Sequence, residues 1–163
     1  MTRALILSDI HGEENNLRWL LEEVWKTVGP IDAYICLGAG VRDFEHAESF
    51  IRARDEHALM YAVRGNCDFA VNAPVHQVVS LGGAQVYMTH GHYHRVKSTL
   101  SYLRDAAHEA GCSIALYGHT HAADVEPGVP MLVNPGSVKD DRCALLDVND
   151  GKPRVRLINL GFK

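Results

Sequence analysis

Short apolar runs alternate with polar, glycine-containing segments along most of the chain. Five of these runs are rich in Ile, Val, Leu and Tyr, and they occupy residues 4–7, 33–37, 59–63, 85–88 and 113–117. Runs of this length and composition predict strands that are buried on both faces of a sheet. Further strands are predicted over 75–81, 131–133, 144–148 and 155–160.

A segment whose apolar residues have helical spacing separates the first two runs. Apolar residues at spacings of three and four fall on one helix face, namely Leu17, Leu20, Leu21, Val24 and Val28. Gly29 and Pro30 then end the helix. Two more helices are predicted over 43–54 and 98–110. Strand, helix and strand in succession predict parallel pairing, and this much strand exceeds one small sheet. We therefore expect an α/β fold in which two mixed sheets stack face to face with helices outside.

Composition and charge narrow the class of protein. At 163 residues, 47% hydrophobic and 22% charged, without linker or repeat, residues 1–163 are expected to form a single domain. The net charge of −4 gives no reason to expect nucleic-acid binding.

No apolar run reaches the roughly 18 residues of a membrane span, and the first apolar stretch is too short for a signal peptide. Four widely spaced cysteines without a Cys-x-x-Cys pair predict buried free thiols and a cytoplasmic location. Oligomeric state is not predicted.

Side chains that can bind metal follow several of the predicted strands. They are Asp9, His11, Asn66, His90, His119 and His121. Residues two apart in an extended segment point the same way, and the carboxyl ends of parallel strands form the usual binding edge of such sheets. Mixed carboxylate, imidazole and amide donors suit Mn, Fe, Zn or Ni better than Ca or Mg. The sequence therefore predicts a transition-metal site at the strand carboxyl ends.

The order of these segments resembles a known family. Its blocks are matched by Asp9-Ile10-His11, Leu37-Gly38, Gly65-Asn66-Cys67-Asp68, Thr89-His90-Gly91-His92 and Gly118-His119-Thr120-His121. Together they resemble the calcineurin-like metallophosphoesterases, most closely the small, single-domain YfcE-like branch, and Asn134-Pro135-Gly136-Ser137 resembles a later segment of that branch. The resemblance implies a four-layer α-β-β-α sandwich with a dinuclear metal centre at one edge.

The resemblance also implies ligands and chemistry. One metal would be held by Asp9, His11 and His121, and the other by Asn66, His90 and His119. Two divalent ions, Mn²⁺ by preference and otherwise Ni²⁺, Fe²⁺ or Zn²⁺, would hold a hydroxide that attacks a small phosphate ester, preferably a diester.

Three positions are candidates for catalytic roles beyond metal binding. Asn66 would hold phosphoryl oxygens. His92 would either face the substrate or lie solvated in its loop. Many relatives carry a general-acid histidine where this chain has Cys67, whose thiol either protonates the leaving group or only packs beside the site. Neither His46 nor His94 matches a motif, and both are expected on the surface.

One position departs from the family pattern. The aspartate that bridges both metals in the family is replaced by Ala39, which has no donor atom. Asp9 is then the only anionic ligand, so we expect one tightly bound metal at most, or a loose second one, and reduced or lost activity. Because every other donor position is retained, an engineered substitution is favoured over natural loss. Asp43 is expected to open the next helix rather than to replace the missing ligand, and Asp68 to cap a turn.

Two other readings compete with an impaired phosphoesterase. A scaffold or binding protein that keeps the fold without catalysis would also tolerate Ala39, although six retained donors argue against it. A structural zinc module fits badly because such sites use closely spaced cysteines. Substrate choice is expected to depend on the loops over 69–76 and 92–97.

Overall fold

Two five-stranded sheets form the centre of the molecule. The computed structural model describes residues 1–161; residues 162 and 163 of the expected domain lie outside this part. The strands are β1 Thr2–Leu7, β2 Ala33–Cys36, β3 Leu59–Ala62, β4 His76–Leu81, β5 Ala84–Thr89, β6 Ile114–Leu116, β7 Asp124–Glu126, β8 Met131–Asn134, β9 Arg142–Asn149 and β10 Lys152–Asn159. The helices are α1 Glu14–Trp25, α2 Val41–His46, α3 Glu48–Arg52 and α4 Ser101–Glu109, and short 3-10 turns span His92–His94 and Val138–Asp140.

Both sheets are mixed, as predicted. The first has the order β10-β9-β1-β2-β3, in which β1 is parallel to β2, and β2 to β3, while β9 is antiparallel to β1 and β10. The second has the order β4-β5-β6-β8-β7, in which β5, β6 and β8 run parallel, with antiparallel strands at both edges. The carboxyl ends of the parallel strands therefore carry the loops that hold the candidate donors.

Alternate side chains of the strands build two kinds of core. Ile6 and Ile35 of the first sheet pack against Met88 and Leu116 of the second, which joins the sheets face to face. The opposite face of the first sheet packs against α1, α2 and α3. The outer face of the second sheet packs against α4 through Leu103 and its neighbours. The four-layer α-β-β-α sandwich is confirmed.

Several local predictions are corrected. The helix predicted over 43–54 is two short helices that meet at Ala47, and the helix predicted from residue 98 begins at Ser101. The third run is not buried on both faces: β3 is an edge strand, and Leu59 is 52% exposed. The charged strand β7 was not predicted, since its three residues carry no apolar run.

The cysteines and the membrane prediction can also be compared with the structure. All four cysteines are free, and three are buried, but Cys67 is exposed because it lies in the loop after β3. Among residues 1–161, no helix is both long and apolar enough to cross a membrane.

Candidate metal centre

Three predicted donors converge on one point. Oδ1 of Asp9 lies 3.2 Å from Nε2 of His121 and 3.4 Å from Nε2 of His11. The two imidazole nitrogens are 3.3 Å apart. Asp9 follows β1 and is buried, whereas His121 follows β6 in the other sheet and is partly exposed. These atoms could hold one metal ion between the two sheets, with an open side toward solvent.

A second pair of imidazoles lies beside this triad. Nε2 of His90, after β5, is 3.1 Å from Nδ1 of His119, after β6. The same nitrogen of His90 is 3.9 Å from Oδ1 of Asp9. Asp9 therefore stands between the triad and the histidine pair, and five of the six predicted ligands lie in one cluster.

Hydrogen bonds fix the orientation of the Asp9 carboxylate. Its Oδ2 accepts a 2.6 Å bond from Oγ of Ser8 and a 3.1 Å bond from the backbone N–H of His119. Oγ of Ser137 donates to the backbone carbonyl of Asp9 at 2.7 Å. With Oδ2 occupied, Oδ1 is left to face the histidines. The sequence did not assign roles to Ser8 or Ser137, although Ser137 lies in a segment that the resemblance covered.

The second histidine pair is oriented in the same manner. Nδ1 of buried His90 is 2.8 Å from the carbonyl oxygen of Leu37, to which it donates. Neutral His90 therefore carries its lone pair on Nε2, which faces His119.

The backbone of the centre is unusual. Left-handed φ angles occur at Asp9 (55°), His11 (50°), Ala39 (58°), His119 (70°) and His121 (63°). Such angles are uncommon outside glycine and tend to cluster at functional sites, where surrounding structure holds them. The surroundings here include very close packing: a Cβ on Gly118 would lie 2.0 Å from Oγ of Ser8. Surrounding contacts thus hold the loops that carry the donors in backbone conformations that residues other than glycine disfavour.

Ala39 lies in the loop after β2 and is buried, with 3% of its surface exposed. Its N–H donates to Oδ2 of Asp68 at 2.7 Å, and Asp68 also accepts from the N–H groups of Gly40, Val41 and Gly65. The prediction that Asp68 caps a turn is confirmed.

Asp43 was expected to open the following helix, and it does lie in the first turn of α2. Its carboxylate, however, accepts from the N–H of Gly12 at 2.8 Å rather than from an N–H of its own helix. Burial raises the pKa of this carboxyl group. The capping role expected of Asp43 belongs to Asp68 because the loop after β3 folds back over the start of α2.

The remaining candidates surround the centre less tightly. Asn66 is exposed and follows Gly65, where a Cβ would lie 3.1 Å from ring carbons of His90. His92 is partly buried, with its ring centroid 5.5 Å from that of His90. Cys67 lines a cleft of about 380 Å³ together with His11 and Ala39. The ligand role of Asn66 and the catalytic roles of all three stay predictions.

Two other histidines were expected on the surface. His46 is exposed and pairs with Glu14 on α1. His94 is instead partly buried, because its ring packs edge-on against Tyr87. Its Nε2 also lies 3.1 Å from the hydroxyl oxygen of Tyr87, to which it is hydrogen-bonded. The prediction for His94 is wrong, since the turn after β5 folds onto the outer face of the sheet.

Electrostatics favours neutral imidazoles in the histidine pair. Burial lowers the pKa of His90, and burial together with the neighbouring His90 lowers the pKa of His119 to about 4. The pKa of His92 is lowered by the same two causes. Neutral rings are the metal-binding form of histidine, but they add no negative charge to offset a cation.

Comparison with known proteins identifies relatives of this chain. The model of the calcineurin-like phosphoesterase superfamily domain matches residues 2–151. The protein named "Probable metallophosphoesterase YsnB" of Bacillus subtilis is 31% identical over 137 residues, which cover 83% of this chain and 75% of that protein.

Solved structures show the same fold. A predicted phosphoesterase from Streptococcus pneumoniae superposes with a TM-score of 0.75 and 25% identity over 97% of this chain and 89% of that one. An archaeal phosphodiesterase gives a TM-score of 0.69 and 20% identity over 96% of this chain and all (100%) of that one. Because the family model covers every candidate donor and every strand except β10, the chain belongs to the calcineurin-like phosphoesterase superfamily.

Proposed function

We propose that this chain hydrolyses small phosphate esters, with diesters preferred, by means of one divalent metal ion held by Asp9, His11 and His121. The observation that carries the proposal is the convergence of these three donor atoms within 3.2–3.4 Å of one another. Family membership supports a hydrolase, and the archaeal phosphodiesterase with this fold is consistent with a diester substrate.

The donor set fits a transition metal. Two imidazoles and one carboxylate with open positions are a recurrent site for such ions, and Mn²⁺ is our first expectation, followed by Ni²⁺, Fe²⁺ and Zn²⁺. The ion, when bound, supplies a Lewis acid for a phosphoryl oxygen and lowers the pKa of a water molecule that serves as the nucleophile.

The chain's own residues position the substrate and move its protons. Ser8 and the N–H of His119 hold the Asp9 carboxylate, so Oδ1 keeps a fixed direction. Asn66 is exposed and follows Gly65, which packs on the His90 ring, and we assign its side-chain N–H to a phosphoryl oxygen. We assign to the exposed thiol of Cys67, which lines the cleft with His11, the protonation of the departing oxygen, with water as the alternative donor. His92, whose ring centroid lies 5.5 Å from that of His90, would face the substrate.

Ala39 limits the centre to one tightly held ion. Two divalent ions about 3.7 Å apart repel by roughly 18 kcal/mol at an effective dielectric constant near 20, an illustrative figure rather than a net energy. A bridging carboxylate would offset much of this repulsion, and the methyl group of Ala39 offsets none. We therefore expect lower activity than in the same chain with a carboxylate at this position.

A metal-loaded hydrolysis assay tests the proposal. The protein is loaded with Mn²⁺, and release of nitrophenol from bis(4-nitrophenyl) phosphate is compared between the parent, His121→Ala and Arg154→Gln. Arg154 is exposed on β10, away from the donors, and serves as a matched surface control. Activity that disappears with His121→Ala and survives in the control supports the proposal; equal rates in all three would overturn it.

Ala39 also favours one alternative, a binding protein that has kept the fold without catalysis. The two candidate functions differ in whether metal loading produces hydrolysis of phosphate esters. An esterase turns over phosphate esters only when loaded with metal, whereas a binding protein would show no turnover above buffer for either monoesters or diesters, even after Ala39→Asp.

We further propose a cytoplasmic location, since free thiols fit a reducing compartment.

A further inference from the structure

An exposed aromatic side chain lines the cleft that adjoins the metal centre. We infer that this cleft holds the organic group of the ester and that Phe69 stacks on it, so that the chain prefers phosphate esters whose organic group is a flat aromatic ring. The inference rests on the proposed function, because it names the class of substrate for that same site.

The cleft connects the metal centre with the loop after β3. Its volume is about 380 Å³, and its lining includes His11, Cys67 and Phe69. His11 also belongs to the proposed metal-binding triad, where its Nε2 lies 3.4 Å from Oδ1 of Asp9. Sites for small molecules commonly have volumes of about 300–1,000 Å³. The cleft therefore has room for one small organic group beside the metal ligands.

The ring of Phe69 is free to contact a ligand. The side chain is 79% exposed, and it makes no ring contact with another side chain within residues 1–161. Single exposed apolar residues are common on protein surfaces, but this one lies in the lining of a cleft that a candidate metal ligand shares. Aromatic rings stack on other flat rings with a preference beyond the apolar area that they bury. The ring thus favours a flat group over a puckered one.

Hydrogen bonds hold the loop that carries Phe69. The N–H of Arg64 donates to the carbonyl of Pro74 at 2.7 Å and closes the loop at its base. Asp68 directly precedes Phe69, and its carboxylate accepts four backbone N–H groups. The backbone next to the ring is therefore fixed before a ligand binds, and binding to a pre-organised site loses less conformational entropy than ordering a free loop would.

A second side chain of the cleft also suits an aromatic ring. Arg42 lines the cleft, is exposed, and makes no ion pair or hydrogen bond in the described part of the chain. The N–H of its neighbour Val41 donates to Oδ1 of Asp68 at 3.1 Å, so one carboxylate ties the backbone beside Arg42 to the backbone beside Phe69. Guanidinium groups are planar and stack on aromatic faces.

The carboxylates of the cleft have other partners. Oδ2 of Asp43 accepts the N–H of Gly12 at 2.8 Å, and both oxygens of Asp68 accept backbone N–H groups. Phe69 and Arg42 are consequently the large side chains of this lining that remain free to contact the ester.

Binding of phosphonates tests this inference separately from turnover. Phenylphosphonate and cyclohexylphosphonate have rings with the same number of carbon atoms, but only the phenyl ring is flat, and ester hydrolysis does not cleave their carbon–phosphorus bonds. Each is titrated calorimetrically into the full chain loaded with Mn²⁺. We expect the parent to bind phenylphosphonate at least about fivefold more tightly. Phe69→Leu should lose most of this preference, although it keeps an apolar side chain.

Tyr102→Leu is the matched control. Tyr102 is 53% exposed on α4, which packs on the outer face of the second sheet, and it does not line the cleft. This variant should keep the full preference for the phenyl ring. Arg42→Gln should reduce the preference by a smaller factor, about twofold, because cation–π contacts at exposed sites are weak.

Steady-state kinetics provides a second measurement. On bis(4-nitrophenyl) phosphate, Phe69→Leu should raise KM at least about fivefold and leave kcat within about twofold, because stacking stabilises the bound ester and its transition state equally. A fall in kcat with unchanged KM would overturn the inference.

The phosphonate titrations separate the inference from the proposed function. Equal affinities for the two phosphonates in the parent, or a preference that Phe69→Leu keeps, would overturn the inference even if esters are hydrolysed. If the preference depends on Phe69 but no ester is turned over, the inference stands while the proposed function fails.

Discussion

The backbone N–H of Ala39 donates a 2.7 Å hydrogen bond to Oδ2 of Asp68. This bond ties the loop after β2 to the loop after β3, and it holds residue 39 at a left-handed φ of 58°. Asp and Asn adopt such angles more readily than alanine. The backbone at this position therefore suits the aspartate that the family pattern contains, even though the side chain here is a methyl group.

Replacing Ala39 by aspartate should raise activity. A carboxylate at this buried position, beside His11 in the same cleft, would supply the missing anionic ligand. Removal of a group that only orients a metal ligand costs about 10–100-fold, so we expect a gain of at least about tenfold in kcat/KM on a chromogenic diester and a second tight metal equivalent. Ala39→Asn, of similar shape but uncharged, should gain much less. Identical rates for the parent and Ala39→Asp would refute the bridging role assigned to this position.

Two neighbouring histidines should differ in their effect on metal content. His121 belongs to the triad with Asp9, whereas His119 contacts His90. We expect His121→Ala to lose the tightly bound equivalent and His119→Ala to keep it, because the His119 backbone N–H that orients Asp9 is retained. Elemental analysis after exhaustive dialysis gives the comparison. Loss of the metal from both variants alike would contradict separate roles for the two halves.

Gly118 should not tolerate even a methyl group. A Cβ at this position would lie 2.0 Å from Oγ of Ser8 and 2.9 Å from Oδ2 of Asp9. Gly118→Ala should therefore displace the Asp9 carboxylate, lower the free energy of unfolding by about 1–3 kcal/mol and weaken metal binding. Gly29→Ala is the matched control, since the nearest atom to its Cβ is 3.9 Å away. Urea unfolding and metal titration of both variants check the prediction, and equal behaviour would count against it.

The metal-free protein should lose stability in mild acid. The pKa of His119 is about 4 in the folded chain, below its ordinary value of 6.5, and the pKa of His90 is lowered as well. The unfolded chain binds more protons between these values, so the free energy of unfolding should fall as pH drops from about 6.5 to about 4.

Urea titrations across this range measure the slope. His119→Gln should flatten it, whereas His57→Gln, at a side chain that is 93% exposed, should not. A slope of the opposite sign, or one unaffected by the His119 change, would show that the centre does not govern the acid response.

The sequence predicted the centre better than its surroundings. Asp9, His11 and His121 each lie within four residues of the end of an apolar run. Face-to-face stacking of the two predicted sheets brings those ends to one edge. The contacts of Asp68 could not be predicted in this way, because they depend on how two loops fold over the start of α2. The same holds for His94, whose burial depends on a turn that returns to Tyr87 in its own sheet. Periodicity indicates which strands exist, but the path of a loop depends on tertiary packing.

The bond from the His119 N–H to Oδ2 of Asp9 joins a loop of the second sheet to a side chain of the first. The cluster thus connects the two sheets at this edge. Any sliding of one sheet across the other would pull the donors apart before the apolar interior opened, so ligand occupancy at this edge should resist such shear and report on the alignment of the whole sandwich.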